Sequence, residues 1–456
     1  MSSVDLWRAA FDERAPTLPG ASLPWLSRLR AQALERFADE GWPSGRLEAW
    51  RHTSLVFMNS ERFAPVAAGV DGAVLSRVLA GLRESPDDHW LVFADGRFVP
   101  GLGAIGSLPA GVRVESLAAA LAGDAEPVEA LFGDVAEGAS PQALNAALAA
   151  DGAFIDVPAG VAVPGVIHLV FIAGAAGSAA LLRNLIRAGA GAQLTVVEHY
   201  LASDDGAATL TNAVTRIEAG ADARVEHQKL QQEGVAAVHL AAIGGVQARG
   251  SRLASHSLSF GARLARNDIG TRFDGTGCET LFNGLYHVDG KRHVDHHTWI
   301  EHASPHGTSE ELYRGILDDQ ARGVFTGRIV VAPGAMRTDA RQRADNLLLS
   351  AGAEADARPE LEIYADDVKC AHGATVGQID ETSLFYLRTR GLDEVHARNL
   401  LTWAFAAEVL ERIGVASLRA QASAALRAKL PGGEALEILD GAALQRSGGA
   451  VLEMPA

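Results

Sequence analysis

The sequence predicts a mainly β core with helical regions at both ends. From about residue 154 to residue 390, apolar and polar residues alternate in short runs, such as 192–201 and 222–231, as they do in half-buried strands. No long helices alternate with these runs, which excludes a doubly wound α/β fold. Similar turns built on a Gly-Ala pair separate the runs, and they begin at Ala188, Ala219, Phe260, Pro333 and Ala351.

The strand pattern alone leaves two main arrangements open. The repeat of the turns is imperfect, with 31 residues from Ala188 to Ala219 but 18 from Pro333 to Ala351. Many short strands with recurrent glycine turns are typical of a sandwich, a barrel or the stacked coils of a parallel β-helix. Few Asn-Gly hairpin signals occur, although a sandwich of this length should contain several. The pattern therefore favours the β-helix only slightly over the sandwich.

The N-terminal region, residues 1–150, is predicted to be helical with a small β element. Ser22 can cap a helix that begins near Pro24, and Gly41 occupies the place of a C-terminal glycine. Residues 89–100 instead predict two short strands around an Asp-Gly turn. The predicted β core then occupies 151–390.

The C-terminal region, residues 391–456, is predicted to be helical. Asp393 can cap a helix that runs to Gly414, and a second helix over 417–430 ends at Pro431. Such a pair can cover the open end of the strand region, or it can bind another subunit. The pattern does not decide between these roles.

Composition excludes several classes of partner and compartment. The formal net charge is −16, from 40 Lys and Arg against 56 Asp and Glu, which argues against nucleic acid or an anionic membrane as the main partner. Only Cys278 and Cys370 are present, so a disulfide framework is not expected and a reducing compartment is. No apolar run approaches the roughly 20 residues of a membrane span, and no signal peptide is evident. These features predict a cytoplasmic protein.

The sequence contains no convincing nucleotide-binding motif. A G-x-G-x-x-G pattern occurs at Gly101, Gly103 and Gly106, but Pro109 and Gly111 follow where a phosphate-binding helix should begin. No G-x-x-x-x-G-K-[ST] sequence is present, so the chain is not expected to act as a P-loop ATPase on its own.

A histidine-rich segment, residues 286–306, allows two interpretations. On a strand, His293, Asp295 and His297 would share one face and His296 the other. A metal site of His293, His297 and Asp295, with His302 as a further ligand, would indicate a stand-alone metalloenzyme. The spacing matches neither a helical H-E-x-x-H nor a zinc ribbon, which favours a hydrogen-bonded structural role.

A second small cluster lies at residues 369–373. On a strand, Cys370 and His372 would point to the same face about 7 Å apart, and a thiolate with an imidazole suits iron. The charge of Lys369 could lower the pKa of the Cys370 thiol. A cluster normally needs about four ligands, mostly thiolates, so two cysteines require any cluster to be shared with a partner or held transiently.

Long stretches of the chain resemble the SufB/SufD family of iron–sulfur cluster assembly proteins, and within it the SufD type. The resemblance extends over nearly the whole chain and is strongest from about 260 to 415. A SufB-type paralogue fits less well, because no cysteine lies between Cys278 and Cys370. The stretches that carry the resemblance are 47–55, 266–317, 360–380, 384–392 and 394–413.

The resemblance implies a right-handed parallel β-helix that acts as a non-catalytic scaffold. It implies pairing with SufB through the β-helix and binding of SufC, an ABC-type ATPase, through the C-terminal helices. The nascent cluster would form at the SufB interface, with His372 as the ligand and Cys370 beside it. The chain alone would hold no tightly bound cofactor, since the iron–sulfur cluster is transient and ATP binds the partner; a homodimer of the isolated chain is left open. The residues assigned to ATPase binding are Asn399, Leu400, Leu401, Phe405, Glu408 and Val409.

Overall fold

The computed structural model describes residues 3–66, 70–83 and 85–433. The part of the predicted C-terminal region after residue 433 lies outside the described residues. The α-helices are α1 (Ser3–Arg14), α2 (Pro24–Glu40), α3 (Gly72–Ala80), α4 (Leu117–Ala122), α5 (Glu126–Phe132), α6 (Ser140–Leu148), α7 (Glu381–Thr389), α8 (Glu394–Glu411) and α9 (Ala416–Lys429).

The strands fall into two sheets. The strands are β1 (His89–Ala94), β2 (Arg97–Phe98), β3 (Arg113–Ser116), β4 (Ala153–Val157), β5 (Ile167–Ala173), β6 (Ala179–Ala188), β7 (Gln193–Ala202), β8 (Leu210–Ala219), β9 (Arg224–Gln232), β10 (Val238–Gln247), β11 (Arg252–Ser259), β12 (Leu264–Phe273), β13 (Glu279–Val288), β14 (His293–His302), β15 (Thr308–Leu317), β16 (Arg322–Val331), β17 (Asp339–Leu348), β18 (Glu354–Ile363) and β19 (Lys369–Gln378). One sheet, named the even sheet after most of its strands, has the order β18-β16-β14-β12-β10-β8-β6-β4-β3. The other, the odd sheet, has the order β19-β17-β15-β13-β11-β9-β7-β5-β1-β2.

The strands form a parallel β-solenoid, which confirms the predicted β-helix and excludes the sandwich. From β4 onward, consecutive strands alternate between the two sheets, and each pairs in parallel with the strand two places along the chain. The two sheets therefore face each other across a shared interior, as stacked coils require.

The imperfect repeat of the Gly-Ala turns has a simple geometric origin. The turns at Ala188 and Ala219 follow β6 and β8, so they occupy the same corner of successive coils and lie one whole coil apart. The turns at Pro333 and Ala351 follow β16 and β17, so they occupy opposite corners of one coil. The spacings of 31 and 18 residues are therefore one coil and about half a coil.

The interior is closely packed and contains tyrosines whose rings lie over glycines of the neighbouring strand in the same sheet. A Cβ added at Gly284 would lie 2.2 Å from Cε1 of Tyr313, and one added at Gly315 would lie 2.2 Å from Cε2 of Tyr286. Both tyrosines are fully buried. These glycines are therefore required by the close approach of an aromatic ring to the backbone.

The N-terminal region extends both sheets, and its helices α2, α4, α5 and α6 pack against the even sheet, whereas α3 packs against the odd sheet. The hairpin of β1 and β2, with Asp95 and Gly96 in the turn at positive φ, matches the prediction, and β1 adds to the odd sheet beside β5. The predicted cap at Ser22 is wrong, because Leu23 precedes α2 and no side chain caps it. Gly41 ends α2 at φ 64° and donates its N–H to the carbonyl of Phe37, as predicted.

The C-terminal helices lie on the outer face of the odd sheet. Asp393 caps α8 by accepting the N–H of His396, as predicted, although α8 ends at Glu411 and not at Gly414. No helix in the described ranges is long and apolar enough to cross a membrane. The apolar contact between helices and sheet is formed by Val197, Leu230, Leu258, Leu285, Val409, Leu410, Leu418 and Leu426.

Candidate functional site

The last coil of the solenoid, formed by β18 and β19, is open. Within the described ranges β18 pairs only with β16, and β19 only with β17, so the outer edge of each strand has no paired strand. Unpaired strand edges are the usual place where another chain adds to a sheet. The exposed apolar side chains of this coil are Ile363, Tyr364 and Val376.

Cys370 and His372 lie on this coil and share one face, as the period-two pattern predicted. They are in register with Ala340 and Gln342 of β17, and both of those residues are buried. The shared face is therefore the inward one. His372 is exposed because no further coil stacks on it, whereas Cys370 is half-buried against the apolar core.

The environment of Cys370 corrects one prediction. Burial, followed by the nearby negative charge of Asp339, raises the pKa of the Cys370 thiol above its usual value. The expected lowering by Lys369 does not occur, because Lys369 occupies the adjacent, opposite-facing position on β19. The thiol is thus protonated at neutral pH in this chain.

Two buried polar side chains lie below the exposed His372. They are Gln342 and Glu311, which occupy the register position of His372 on β17 and β15. The Nε2 of Gln342 donates to Glu311, and the hydroxyl of Thr298 donates to the same carboxylate at 3.1 Å. Burial raises the pKa of Glu311 to about 7 despite these two hydrogen bonds. Sequence reasoning missed Gln342 and Glu311, because neither belongs to a motif near residue 372.

The histidine-rich segment divides between the two faces of β14, as predicted. His296 and His302 face the interior, where His302 lies 2.8 Å from the hydroxyl of Ser309. Asp295 faces outward, fully buried, and Nε2 of His297 lies 3.4 Å from its carboxylate. Of the four residues proposed for a metal site, His302 therefore lies on the face opposite to His293, Asp295 and His297.

The outward face of this segment binds the N-terminal segment 47–55. The hydroxyl of Thr53 donates to Asp295 at 2.5 Å and lies 2.8 Å from Nε2 of His293. Arg266 donates to Asp295 at 2.7 Å, and its guanidinium lies 3.8 Å from the ring centre of Trp50. His293, Asp295 and Arg266 thus attach the N-terminal region to the solenoid.

This arrangement does not support the metalloenzyme interpretation. Across the described ranges, no three or more His, Cys, Asp or Glu side chains are grouped so as to hold a metal ion. His293 and His297 contact Thr53 and Asp295 instead. A resident metal at His293 and His297 is accordingly not proposed.

The residues assigned to ATPase binding differ in their accessibility. Asn399 and Val409 are buried, and the carbonyl of Val409 accepts a hydrogen bond from Asn283 of the odd sheet at 3.0 Å. Leu400, Leu401, Phe405 and Glu408 are partly exposed. Their role in binding stays a prediction. Val409 connects α8 to the odd sheet, and the side-chain amide of Asn399 donates to the carbonyl of Pro431 at 2.6 Å. Large exposed apolar side chains of this region are Phe385 (69%), Tyr386 (56%) and Val395 (48%).

Two family models match this chain, one over the N-terminal region and one over most of the solenoid and the following helices. Residues 171–405 match the family described as "SUF system FeS cluster assembly, SufBD core domain", and residues 1–169 match the "SufBD protein N-terminal region". The chain is 32% identical over 414 residues to the iron–sulfur cluster assembly protein SufD of Escherichia coli, covering 88% of this chain and 92% of that protein.

Two further relatives show the same likeness. An iron–sulfur cluster assembly SufBD family protein of Synechocystis is 32% identical, with 83% of this chain and 85% of that protein covered. The chloroplast protein ABCI7 of Arabidopsis thaliana is 28% identical, with 89% and 86% covered. With its parallel β-solenoid and both family regions present, this chain belongs to the SufBD family of iron–sulfur cluster assembly proteins.

Proposed function

We propose that this protein is a non-catalytic scaffold subunit of the SufD type. It pairs with a SufB paralogue through the last coil and presents His372, with Cys370 beside it, to a nascent iron–sulfur cluster at the interface. The SufC ATPase binds its C-terminal helices and supplies ATP hydrolysis. The cluster is the cargo of the assembly and not a resident cofactor of this chain.

The observation that carries this proposal is the open last coil. Two unpaired strand edges, three exposed apolar side chains and an exposed imidazole lie together at one end of the solenoid. A partner built from similar coils can continue the stack and exclude water from the interface. His372 and the half-buried Cys370 would then face the partner's ligands, which accounts for a cluster site with only two cysteines in this chain.

His372→Ala is expected to abolish cluster assembly while the complex still forms. The variant removes an exposed side chain, so folding should be unaffected, but it removes the one imidazole of β19. The complex with the SufB and SufC partners would be loaded anaerobically with ferrous iron and sulfide, and the bound cluster measured by its visible absorbance. We expect at least a tenfold lower yield.

His306→Asn is the matched control, because His306 is exposed and lies in a turn at φ 61°, which asparagine tolerates. This control should assemble clusters like the wild type. Normal cluster yield on the His372→Ala complex would show that the ligand role is wrong and leave only an architectural role for this subunit.

Phe385→Ser is expected to weaken binding of the ATPase. Phe385 is 69% exposed on α7, and a large exposed aromatic side chain is typical of an interface anchor. Loss of such an anchor commonly costs tenfold or more in affinity. Calorimetric titration with purified SufC measures this effect directly.

Val235→Ser is the control, since Val235 is 60% exposed in the connection between β9 and β10, away from α7 in the chain. The two variants should differ by at least tenfold in Kd. Equal affinity of both variants for SufC would place the ATPase contact elsewhere.

A further inference from the structure

Two polar side chains lie below His372, in the two preceding coils of the solenoid. Gln342 and Glu311 are fully buried beneath the exposed imidazole, and all three residues share one register position in adjacent strands. Neighbouring strands lie about 4.8 Å apart, so Gln342 lies one strand spacing from His372 on one side and one from Glu311 on the other.

The Gln342 amide is fixed in place. Its Nε2 donates to Oε2 of Glu311, and that oxygen also accepts the hydroxyl of Thr298. On the opposite sheet Gly327 provides the space, because a Cβ there would lie 2.2 Å from Nε2 of Gln342. An alanine at 327 would therefore displace the amide. The absence of a side chain at Gly327 and the carboxylate of Glu311 together give the amide one orientation.

One polar atom of this amide is left without a partner. Among the described residues, Oε1 of Gln342 is buried and accepts no hydrogen bond. Nε2 donates to Glu311 on β15, so Oε1 is the atom of the amide that is left to accept a donor from β19. The residue in register there is His372, whose ring carries an N–H.

We propose that Gln342 is the positioning residue of His372. When the partner covers the last coil, Oε1 of Gln342 accepts the ring N–H of His372 and so fixes the tautomer and the orientation of the ring. The other ring nitrogen then faces the cluster. Histidines that bind metals generally donate their second N–H in this way. This inference rests on the proposed ligand role of His372 and adds the residue that orients it.

Asn346 provides a comparison on the same strand. It is also a buried amide, four residues after Gln342 on the same face of β17. Its Oδ1 accepts the hydroxyl of Tyr286 at 2.6 Å, and its register partner on β19 is Val376. Asn346 therefore stabilises the interior without contact to a candidate ligand. A change at Asn346 tests the cost of losing a buried amide from β17, without a change below His372.

The experiment uses the complete complex carrying Gln342→Met or Asn346→Leu, loaded with ferrous iron and sulfide. Gln342→Met should lower the cluster yield roughly tenfold or more, the range seen when a residue that orients a metal ligand is lost. It should also change the nitrogen couplings of His372 in pulsed EPR spectra of the reduced cluster that still forms. Asn346→Leu should leave the couplings unchanged, and melting curves of both variants identify any loss of folding.

The outcomes separate this inference from the proposed function. Loss of clusters in His372→Ala, together with yield and couplings in Gln342→Met that equal those in Asn346→Leu, would overturn the positioning role alone. If His372→Ala still assembles clusters, and the wild-type cluster shows no nitrogen couplings from His372, the ligand role is overturned and the positioning role with it. A reduced yield and altered couplings in Gln342→Met alone would establish Gln342 as the positioning residue.

Discussion

Asp295→Ala is expected to lower the free energy of unfolding by about 3–5 kcal/mol, the usual cost of breaking a buried ion pair. Asp295 is fully buried and accepts hydrogen bonds from Arg266 and Thr53. Burial acts to raise the pKa of this carboxyl, but Arg266, His297 and the Thr53 hydroxyl outweigh it, so the net pKa is lowered and the group is charged. The variant leaves the equally buried Arg266 with Asp268 as its remaining carboxylate.

The measurement is urea unfolding followed by circular dichroism, with Asp274→Ala as the control. Asp274 forms an exposed ion pair with Arg272 at 2.6 Å, and such pairs contribute less than about 1 kcal/mol. Equal stability of the two variants would show that Asp295 does not hold the N-terminal segment on the solenoid. Stoichiometric zinc or iron in the wild type that disappears in Asp295→Ala would instead support the metal interpretation.

The same contacts show why the histidine-rich segment could be only half interpreted from sequence. Strand periodicity places His293, Asp295 and His297 on one face and His296 on the other, and the structure confirms this. The partner of that face is Thr53, which lies 242 residues earlier in the chain. A local pattern has no information on so distant a contact, so the choice between metal ligands and structural hydrogen bonds required the tertiary structure.

The prediction of the fold was limited in the same way, because a local sequence pattern does not show which strands pair. Alternation with period two describes a strand in a hairpin and a strand in a coil equally well. What distinguishes them is the pairing partner: Cys370 pairs with Ala340, one coil earlier, and not with a neighbouring strand across a tight turn. The lack of hairpin signals indicated the coil, but the register became known only from the structure.

At the last coil, sequence reasoning identified the right pair of side chains but not their surroundings. The shared face of Cys370 and His372 follows from their spacing. Which face is inward depends on Ala340 and Gln342 below them, 30 residues earlier in the sequence. The predicted effect of Lys369 failed because neighbours in a strand point to opposite sides, so nearness in sequence did not bring the charge to the thiol.

The second large effect is expected from Glu311→Gln, which should stabilise the protein at pH 8. Burial raises the pKa of Glu311 from 4.5 to about 7, and such a rise corresponds to about 3 kcal/mol. Below pH 4.5 the carboxyl is protonated in both the folded and the unfolded chain. Between pH 4.5 and 7 only the unfolded chain loses the proton, so the wild type loses stability as the pH rises through this window. Glutamine has no proton to lose and avoids this loss.

The test is the difference in free energy of unfolding between Glu311→Gln and wild type, measured from pH 5 to pH 8. The difference should grow in favour of the variant by about 2–3 kcal/mol up to pH 7 and then stay constant. Glu310→Gln is the control, because Glu310 is the next residue of β15 but is half-exposed in an ion pair with Arg412; it should change stability by less than about 1 kcal/mol. A difference that does not change with pH would contradict the burial effect.

If Glu311→Gln is more stable than the wild type, the carboxyl at position 311 is not there for stability and needs another reason. Glutamine at 311 could still accept a hydrogen bond from Gln342, but its own amide N–H groups would compete for acceptors in the interior. In its ionised form the Glu311 carboxylate only accepts hydrogen bonds, so it holds Nε2 of Gln342 and leaves Oε1 available for the ring N–H of His372. A buried group that destabilises the fold at neutral pH is expected where it orients a functional side chain. We therefore expect Glu311→Gln to be more stable at pH 8 and yet to assemble fewer clusters than wild type, a combination that a purely structural carboxyl would not produce.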